Sequence, residues 1–280
     1  MSIDGMMDNV PTLEEMMSEW VMPDGEGLLD SIELMVQPAM LARHFGDSYT
    51  QLVSGLQYHL GGSDDTAELA ELADIGEHDR VLDTCCFVGG PALQLADALR
   101  CHVTGVDISR DAVAVANRLA QMSSLDHLLD FHLCDVTDMP FEDGAFTVVW
   151  NQASLEHKES WLKEFDRVLD TGGRFAFTFQ TRGRNAVPTD EPFGKWSLED
   201  LAERLRTMNY EILHTEDISA RDIEKGWKKL LKKLDDERDA FIDAFGEEWV
   251  RNAHDEFQNE IARMRAGEWG NARIVAKKLP

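Results

Sequence analysis

The chain has 280 residues, 43% of them hydrophobic, which is enough to bury a substantial core and excludes a disordered polymer. Against 27 Lys and Arg stand 53 Asp and Glu, a formal charge of -26 that argues against nucleic-acid or anionic-membrane partners. The four cysteines form no CxxC pair, so neither a disulfide framework nor a metal site is expected, and no apolar run reaches membrane length; a soluble, cytoplasmic protein is expected.

Residues 1–27 are Met-rich and acidic, with a short helix signal in which Thr12 caps and Glu15 completes a capping box. The pattern from Leu28 to Leu60 is apolar and helical and ends at Gly61-Gly62. A second helix starts at Asp64-Asp65-Thr66 and stops at Gly76.

The chain then alternates. HDRVLDTCC ends in a short apolar run that predicts a buried strand, and PALQLADALR has helical period. HVTGVDIS, LDFHLCD and FTVVWNQ are strands, with RDAVAVANRLAQMS as a helix between the first two. KESWLKEFDRVLD is an amphipathic helix stopped at Thr171-Gly172-Gly173, and RFAFTFQ is the next strand. A helix over 197–208 is capped by Ser197, YEILHTEDI is a strand, and 221–267 is helical and charged with breaks at Gly226 and Gly246. WGNARIVAKK returns as a last strand.

Strands alternating with helices at these spacings predict an α/β fold with a doubly wound, mostly parallel sheet. The helical block about 221–267 is an insertion over the sheet's C-terminal edge, where open α/β sheets bind ligands. The expected division is an N-terminal helical lid over 1–70 and one domain over 71–280. The basic run Lys225 to Lys233 is followed at once by DDERD and reads as a mixed-charge surface helix.

Three features fall where a nucleoside needs them. After Asp83 at the end of the first strand, Gly89-Gly90 lead into a helix beginning at Pro91, and glycine there lets the backbone approach a ligand. Asp107, followed by Ile108, ends the second strand, where an acid accepts from both ribose hydroxyls. Asp135 ends the third strand and can accept from an adenine amine while the Val136 N–H donates to a ring nitrogen. Each has an ordinary alternative: a turn for the glycines, a helix cap for the acids.

VLDTCCFVGG, GVDIS, CDVTDMPFEDGAFTVVW and RVLDTGGRFAF, in that order, resemble the class I S-adenosylmethionine-dependent methyltransferases. The stretch Trp150 to His157 resembles the strand exit that flanks the methyl-transfer pocket. The helical insertion before WGNARIVAKK is similar to the sarcosine/dimethylglycine methyltransferase branch, which methylates small amines. The resemblance implies a Rossmann-like seven-stranded fold, S-adenosyl-L-methionine as cofactor and a small-molecule acceptor, with a small amine first. Thiol, halide, phenol or quinone methylation, a non-methylating use of the cofactor, and a non-catalytic binding protein remain open on the same scaffold.

The resemblance also implies roles. The cofactor would touch Asp83, Cys85, Gly89, Asp107, Ile108, Asp135, Val136, Asn151 and Gln152. His157 is the candidate base or orienting group. Tyr58, with Tyr49 and His59, belongs to a segment that lids the pocket, where aromatic rings suit a cationic amine. Trp150 covers the cofactor or lies in the core, and Arg182 and Arg184 are candidate anchors for a substrate carboxylate. The family's turn reads acid, any residue, glycine, any residue, glycine; here Asp83 is followed by Thr84, Cys85, Cys86 and Phe87, which puts the cofactor pose in question. The long charged helices offer a surface for a homodimer.

Overall fold

The computed structural model describes residues 56–187 and 193–280. The helix signals read at Thr12 and from Leu28, and Tyr49, lie outside the described residues. The first described helix, α1 (Gly62–Leu72), precedes β1 (Arg80–Thr84), α2 (Gly90–Leu99), β2 (His102–Asp107), α3 (Arg110–Met122) and β3 (Leu129–Leu133). Then follow β4 (Phe146–Gln152), α4 (Glu159–Val168), β5 (Leu169–Arg182), α5 (Leu198–Thr207) and β6 (Tyr210–Asp217). The insertion begins with a short turn, α6 (Ser219–Arg221), and a π-helical segment (Asp222–Trp227). It continues through α7 (Lys228–Asp236), α8 (Arg238–Phe245) and α9 (Glu247–Ala266) to β7 (Trp269–Lys278).

The seven strands form one sheet in the order β3-β2-β1-β4-β5-β7-β6. The pairs from β3 to β5 are parallel, and β7 runs antiparallel between β5 and β6. This is the doubly wound sheet expected. The strand order reverses between β1 and β4, so the crevice beyond their C-terminal ends is the place for a ligand.

Alternate residues of each strand feed two cores. Val81, Val103, Val148, Trp150 and Val275 pack with Leu69 of α1, Leu93 of α2 and Phe257 of α9. Leu82, Val106, Val149, Phe177 and Ile274 face the opposite layer, with Phe165 of α4 and Leu201 of α5. Trp150 is therefore core, fully buried in the first layer.

Two punctuation signals act differently from their expected roles. Helix α4 ends at Val168, and Gly172-Gly173 lie inside the entry to β5, where a Cβ at Gly173 would meet the Thr147 carbonyl oxygen at 2.9 Å. Gly226 does not break the insertion. It sits in the π-helical segment, where a Cβ would meet Leu60 at 2.9 Å, and the helix instead interrupts at Glu237. The basic run pairs with its own helix, Lys228 with Glu224 and Lys232 with Asp236, as a mixed-charge surface does. Among the described residues, no helix is long and apolar enough to cross a membrane.

A buried polar cluster joins the layers. Asp65 of α1, 1% exposed, accepts from Arg221 and from the Gln152 amide at 3.1 Å. Arg273 of β7, also buried, donates to Glu68 at 2.9 Å and Glu216 at 2.7 Å. Asn271 donates to Asp222 at 2.8 Å. One ionic cluster thus ties α1, β4, β6, β7 and the insertion together.

Removing one member of a buried pair leaves the partner's charge uncompensated. Asp65→Ala is expected to lower the unfolding free energy by about 3–5 kcal/mol. Lys228→Ala, which breaks an exposed pair, should change it by less than about 1 kcal/mol. Urea denaturation of both variants checks this, and a similar small loss in each would contradict it.

Candidate functional site

Among the described residues, the turn after β1 gathers three left-handed positions within five residues. Cys85, Phe87 and Gly89 all have left-handed φ, at 57°, 50° and 81°. These are alternate positions, and at the first two a side chain takes a conformation that favours glycine, at a cost of about 1–2 kcal/mol each. The turn therefore keeps a glycine-type path without the glycines at 85 and 87. Asp107 holds it there: its Oδ2 accepts from the Phe87 N–H at 2.9 Å and its Oδ1 from the Ser109 N–H at 2.8 Å. Asp107 is not the cap of α3; Ser109 performs that task through its side chain.

Gly89 is required by packing. A Cβ there would meet the Phe131 ring at 2.8 Å, and one at Gly90 would meet the Leu56 carbonyl oxygen at 2.3 Å. The residue that borders the crevice is Cys85.

Beyond β1, β2 and β3 opens a cavity of about 410 Å³. Its walls include Cys85, Asp107, Ile108, Asp135 and Val136, five of the residues expected to meet a cofactor. Ile108 is 76% exposed, an apolar side chain left uncovered at the rim. Asp135 accepts from the Thr137 backbone at 2.8 Å and hydroxyl at 2.7 Å, and these bonds hold its carboxyl below the usual range. Burial and the surrounding carboxylates push the Cys85 thiol up, so it stays protonated.

Asp83 lies beneath the turn and lines neither cavity described here. It is 2% exposed and its Oδ2 has no hydrogen-bond partner. Burial, reinforced by the charge of Asp107, raises its carboxyl to about 8.

Asn151, Gln152 and His157 depart from their expected roles. The Asn151 amide donates to the Thr84 carbonyl at 3.1 Å and hydroxyl at 2.9 Å, clamping β4 to β1. Gln152 accepts from Thr66 at 3.0 Å and Trp150 at 3.2 Å, which seats α1 on the sheet. Neither side chain lines the cavity. His157 is buried and stacked on Trp196 with ring centroids 4.9 Å apart. Its Nδ1 accepts from the backbone N–H groups of Lys195 and Trp196 at 2.9 and 2.8 Å, and burial lowers its pKa to about 4. The ring is a neutral latch for the segment before α5, and its one accepting nitrogen is occupied, so it is not placed to act as a base.

A second cavity of about 330 Å³ lies on the other side of the β4 exit. Ser154 borders both cavities, and the preceding Ala153 turns the chain with a left-handed φ of 63°. Tyr58 and His59 line this second space. The Tyr58 ring packs 5.6 Å from that of Phe87, so Phe87 shapes the space through its neighbour. His59 is buried, and burial lowers its pKa.

Arg182 and Arg184 line neither cavity. Arg182 pairs with Asp200 at 2.8 Å, and Arg184 lies against Gly267. Sequence reasoning missed Asp222, Glu256 and Glu260, which do line the second cavity. Glu256 and Glu260 are four apart and share a helix face, a signal indistinguishable in sequence from a solvated charged helix. Among the described residues, no cluster of ligands could hold a metal ion.

Residues 82–177 match the methyltransferase domain family. Over 114 residues, 40% of this chain, the sequence is 37% identical to 27-O-demethylrifamycin SV methyltransferase of Amycolatopsis mediterranei, covering 42% of that protein. Over 107 residues it is 34% identical to sarcosine/dimethylglycine N-methyltransferase of Halorhodospira halochloris, covering 37% of this chain and 38% of that one. The matches thus span less than half the length of these curated relatives. In fold, the chain is similar to phosphoethanolamine N-methyltransferase 2 of Haemonchus contortus, with a TM-score of 0.75 at 18% identity over 86% of this chain and 59% of that one.

The raised carboxyl of Asp83 has a consequence for stability. The native state holds a proton that the unfolded chain releases, so this contribution declines as pH rises from the ordinary carboxylate range to about 8. Asp222, raised to about 7 by burial, acts with the same sign over a narrower window. Unfolding measured from about pH 5 to about pH 8 is expected to show this decline, and Asp83→Asn to flatten it by at least about 1 kcal/mol, the equivalent of one pKa unit. Equal slopes in the two proteins would contradict the assignment.

Proposed function

We propose that this chain, whose residues 82–177 form a methyltransferase domain, transfers the methyl group of S-adenosyl-L-methionine to a small amine. The observation that carries this reading is the pair of cavities meeting at Ser154 beyond the strand switch, one bordered by strand-end acids and the other by aromatic and acidic side chains. A cofactor and an acceptor need this arrangement: two adjoining compartments with a shared wall at the point of transfer.

The residues present fit the cofactor. The carboxylates of Asp107 and Asp135 at the cavity wall suit the hydroxyl and amine donors of a nucleoside, and the uncovered Ile108 suits the face of an aromatic base. The cofactor supplies a carbon activated by its sulfonium.

The rest is binding and orientation by the chain. Asp107, fixed by the two backbone N–H groups, offers its remaining lone pairs to the ribose hydroxyls. Asp135 and the Val136 N–H meet the adenine edge. Cys85 keeps a small, neutral surface beside the reacting centre. Tyr58 walls the acceptor compartment and limits the directions from which an amine can approach. The amine must arrive with its lone pair free, and His157 is not its proton acceptor because Nδ1 is already occupied by two donors. Relatives that methylate oxygen and relatives that methylate nitrogen are both similar to this chain, and the acidic and aromatic lining of the second cavity is what favours an amine.

Calorimetric titration with S-adenosylmethionine and S-adenosylhomocysteine tests this. Both ligands are expected to bind, and Asp107→Ala to weaken binding at least about tenfold, or ~1.4 kcal/mol. Absence of binding by either ligand would mean that the Cys85–Phe87 turn closes the site, and the methyl-transfer reading would fall.

A further inference from the structure

We infer that the second cavity selects an amine that bears no carboxylate or phosphate, and holds its cationic end on Asp222, Glu256 and Glu260. The inference rests on the methyl-transfer reading and deepens it by naming the charge type of the acceptor.

The charge of the wall is one-sided. Asp65, Asp222, Glu256 and Glu260 line the cavity, and among the described residues no Lys or Arg does. These acids are not equivalent. Asp65 is fully engaged by Arg221 and Gln152. Asp222 is not: it is 2% exposed, Asn271 occupies Oδ2, and Oδ1 has no hydrogen-bond partner. The nearest cation to Oδ1 is the Arg221 Nη1, 3.9 Å away. A buried carboxylate oxygen of this kind needs a donor, and an ammonium group carries three.

Glu256 adds a second unmet demand. It forms no ion pair with any described residue, and its carboxyl is raised by burial and by the charge of Glu260. Glu260 has a partial partner in Arg263, at 2.8 Å on the solvent side. Two acids four residues apart on α9 thus face the same space, with one cation between them. A bound cation relieves this repulsion, and a bound anion adds to it.

Part of the remaining wall is aromatic. Phe179, Trp227 and Trp269 join Tyr58. Aromatic faces attract ammonium groups and offer nothing to a carboxylate or phosphate. Among the described residues, the guanidinium groups that could pair with an acidic acceptor lie elsewhere. Arg182 pairs with Asp200. Arg221 and Arg273 retain guanidinium nitrogens without hydrogen bonds, but neither lines the cavity, and both are embedded among Asp65, Glu68 and Glu216. The charge type therefore separates this site from one for sarcosine or phosphoethanolamine, whose acidic groups would meet four carboxylates.

The test uses the full chain saturated with S-adenosylhomocysteine and titrated with four probes: propylamine, 1,4-diaminobutane, sarcosine and phosphoethanolamine. The two amines without acidic groups are expected to bind, the diamine more tightly, and added salt to weaken it. Glu256→Gln, which keeps shape and removes charge, should weaken diamine binding about tenfold while leaving S-adenosylhomocysteine binding unchanged and not lowering the thermal midpoint. Tighter binding of sarcosine or phosphoethanolamine, failure of both cations to bind, or equal diamine affinity in Glu256→Gln would each overturn the inference. In those cases retained S-adenosylhomocysteine binding leaves the methyl-transfer reading standing. Loss of S-adenosylhomocysteine binding would bring down that reading, and this inference with it.

Discussion

A carboxylate with 1% exposure stays charged only if it is paired, and the architecture around Asp65 follows from that constraint. Its partners come from elements far apart in sequence: Gln152 ends β4, Arg221 opens the insertion, and His59 precedes α1, its Nδ1 3.7 Å away. Arg273 on β7 brings Glu68 and Glu216 into the same cluster. The helix before the sheet, the antiparallel strand and the helical insertion are thereby held in one relative position. That position sets the walls of the second cavity, because Asp65, Asp222 and Asn271 belong to both the cluster and the wall. Stability and site geometry share the same side chains here.

The turn after β1 shows a different economy. A glycine-rich loop reaches left-handed backbone at little steric cost. This chain reaches the same path at Cys85 and Phe87 by anchoring it from outside, with the Asp107 carboxylate on the Phe87 N–H and the Val106 carbonyl on the Cys86 N–H at 3.0 Å. The side chains gained have uses. Cys85 gives the first cavity a neutral wall, and Phe87 supports Tyr58 at the edge of the second. Under the proposed function, one strained turn therefore shapes both compartments.

The two cavities treat negative charge in opposite ways. Around the first, Asp107 and Asp135 are satisfied by backbone and hydroxyl donors, so they are oriented acceptors ready for neutral hydroxyls and amines. Around the second, Asp222 keeps one oxygen without a hydrogen-bond donor and Glu256 has no ion pair with any described residue. Hydrogen-bonded acids read shape, and unpaired acids demand a counter-ion. This difference underlies the division proposed between a nucleoside compartment and a cationic one.

Periodicity and strand-end residues made most of the fold and half of the site legible in advance. Alternation of apolar residues in VLDT and FTVVWNQ must place one set on each face of a sheet, and the acids at 107 and 135 must then lie at its C-terminal edge. What the linear pattern could not decide is which of several adjacent polar residues faces the crevice. Asn151 and Gln152 sit at the expected strand exit, yet their hydrogen bonds turn one to β1 and the other to α1. His157 carries the chemistry of a base, and its Nδ1 is consumed by two backbone donors nearly forty residues away in the chain. Glu256 and Glu260 look like ordinary surface acids, and only the packing of α9 over the sheet brings them to the cavity. By itself, the sequence determined the sheet, its helices and the edge that carries the acids, because these depend on local period. The tertiary structure alone decided the glycine-free path of the turn, the fate of each polar side chain and the acidic wall, because these depend on contacts between residues distant in the chain.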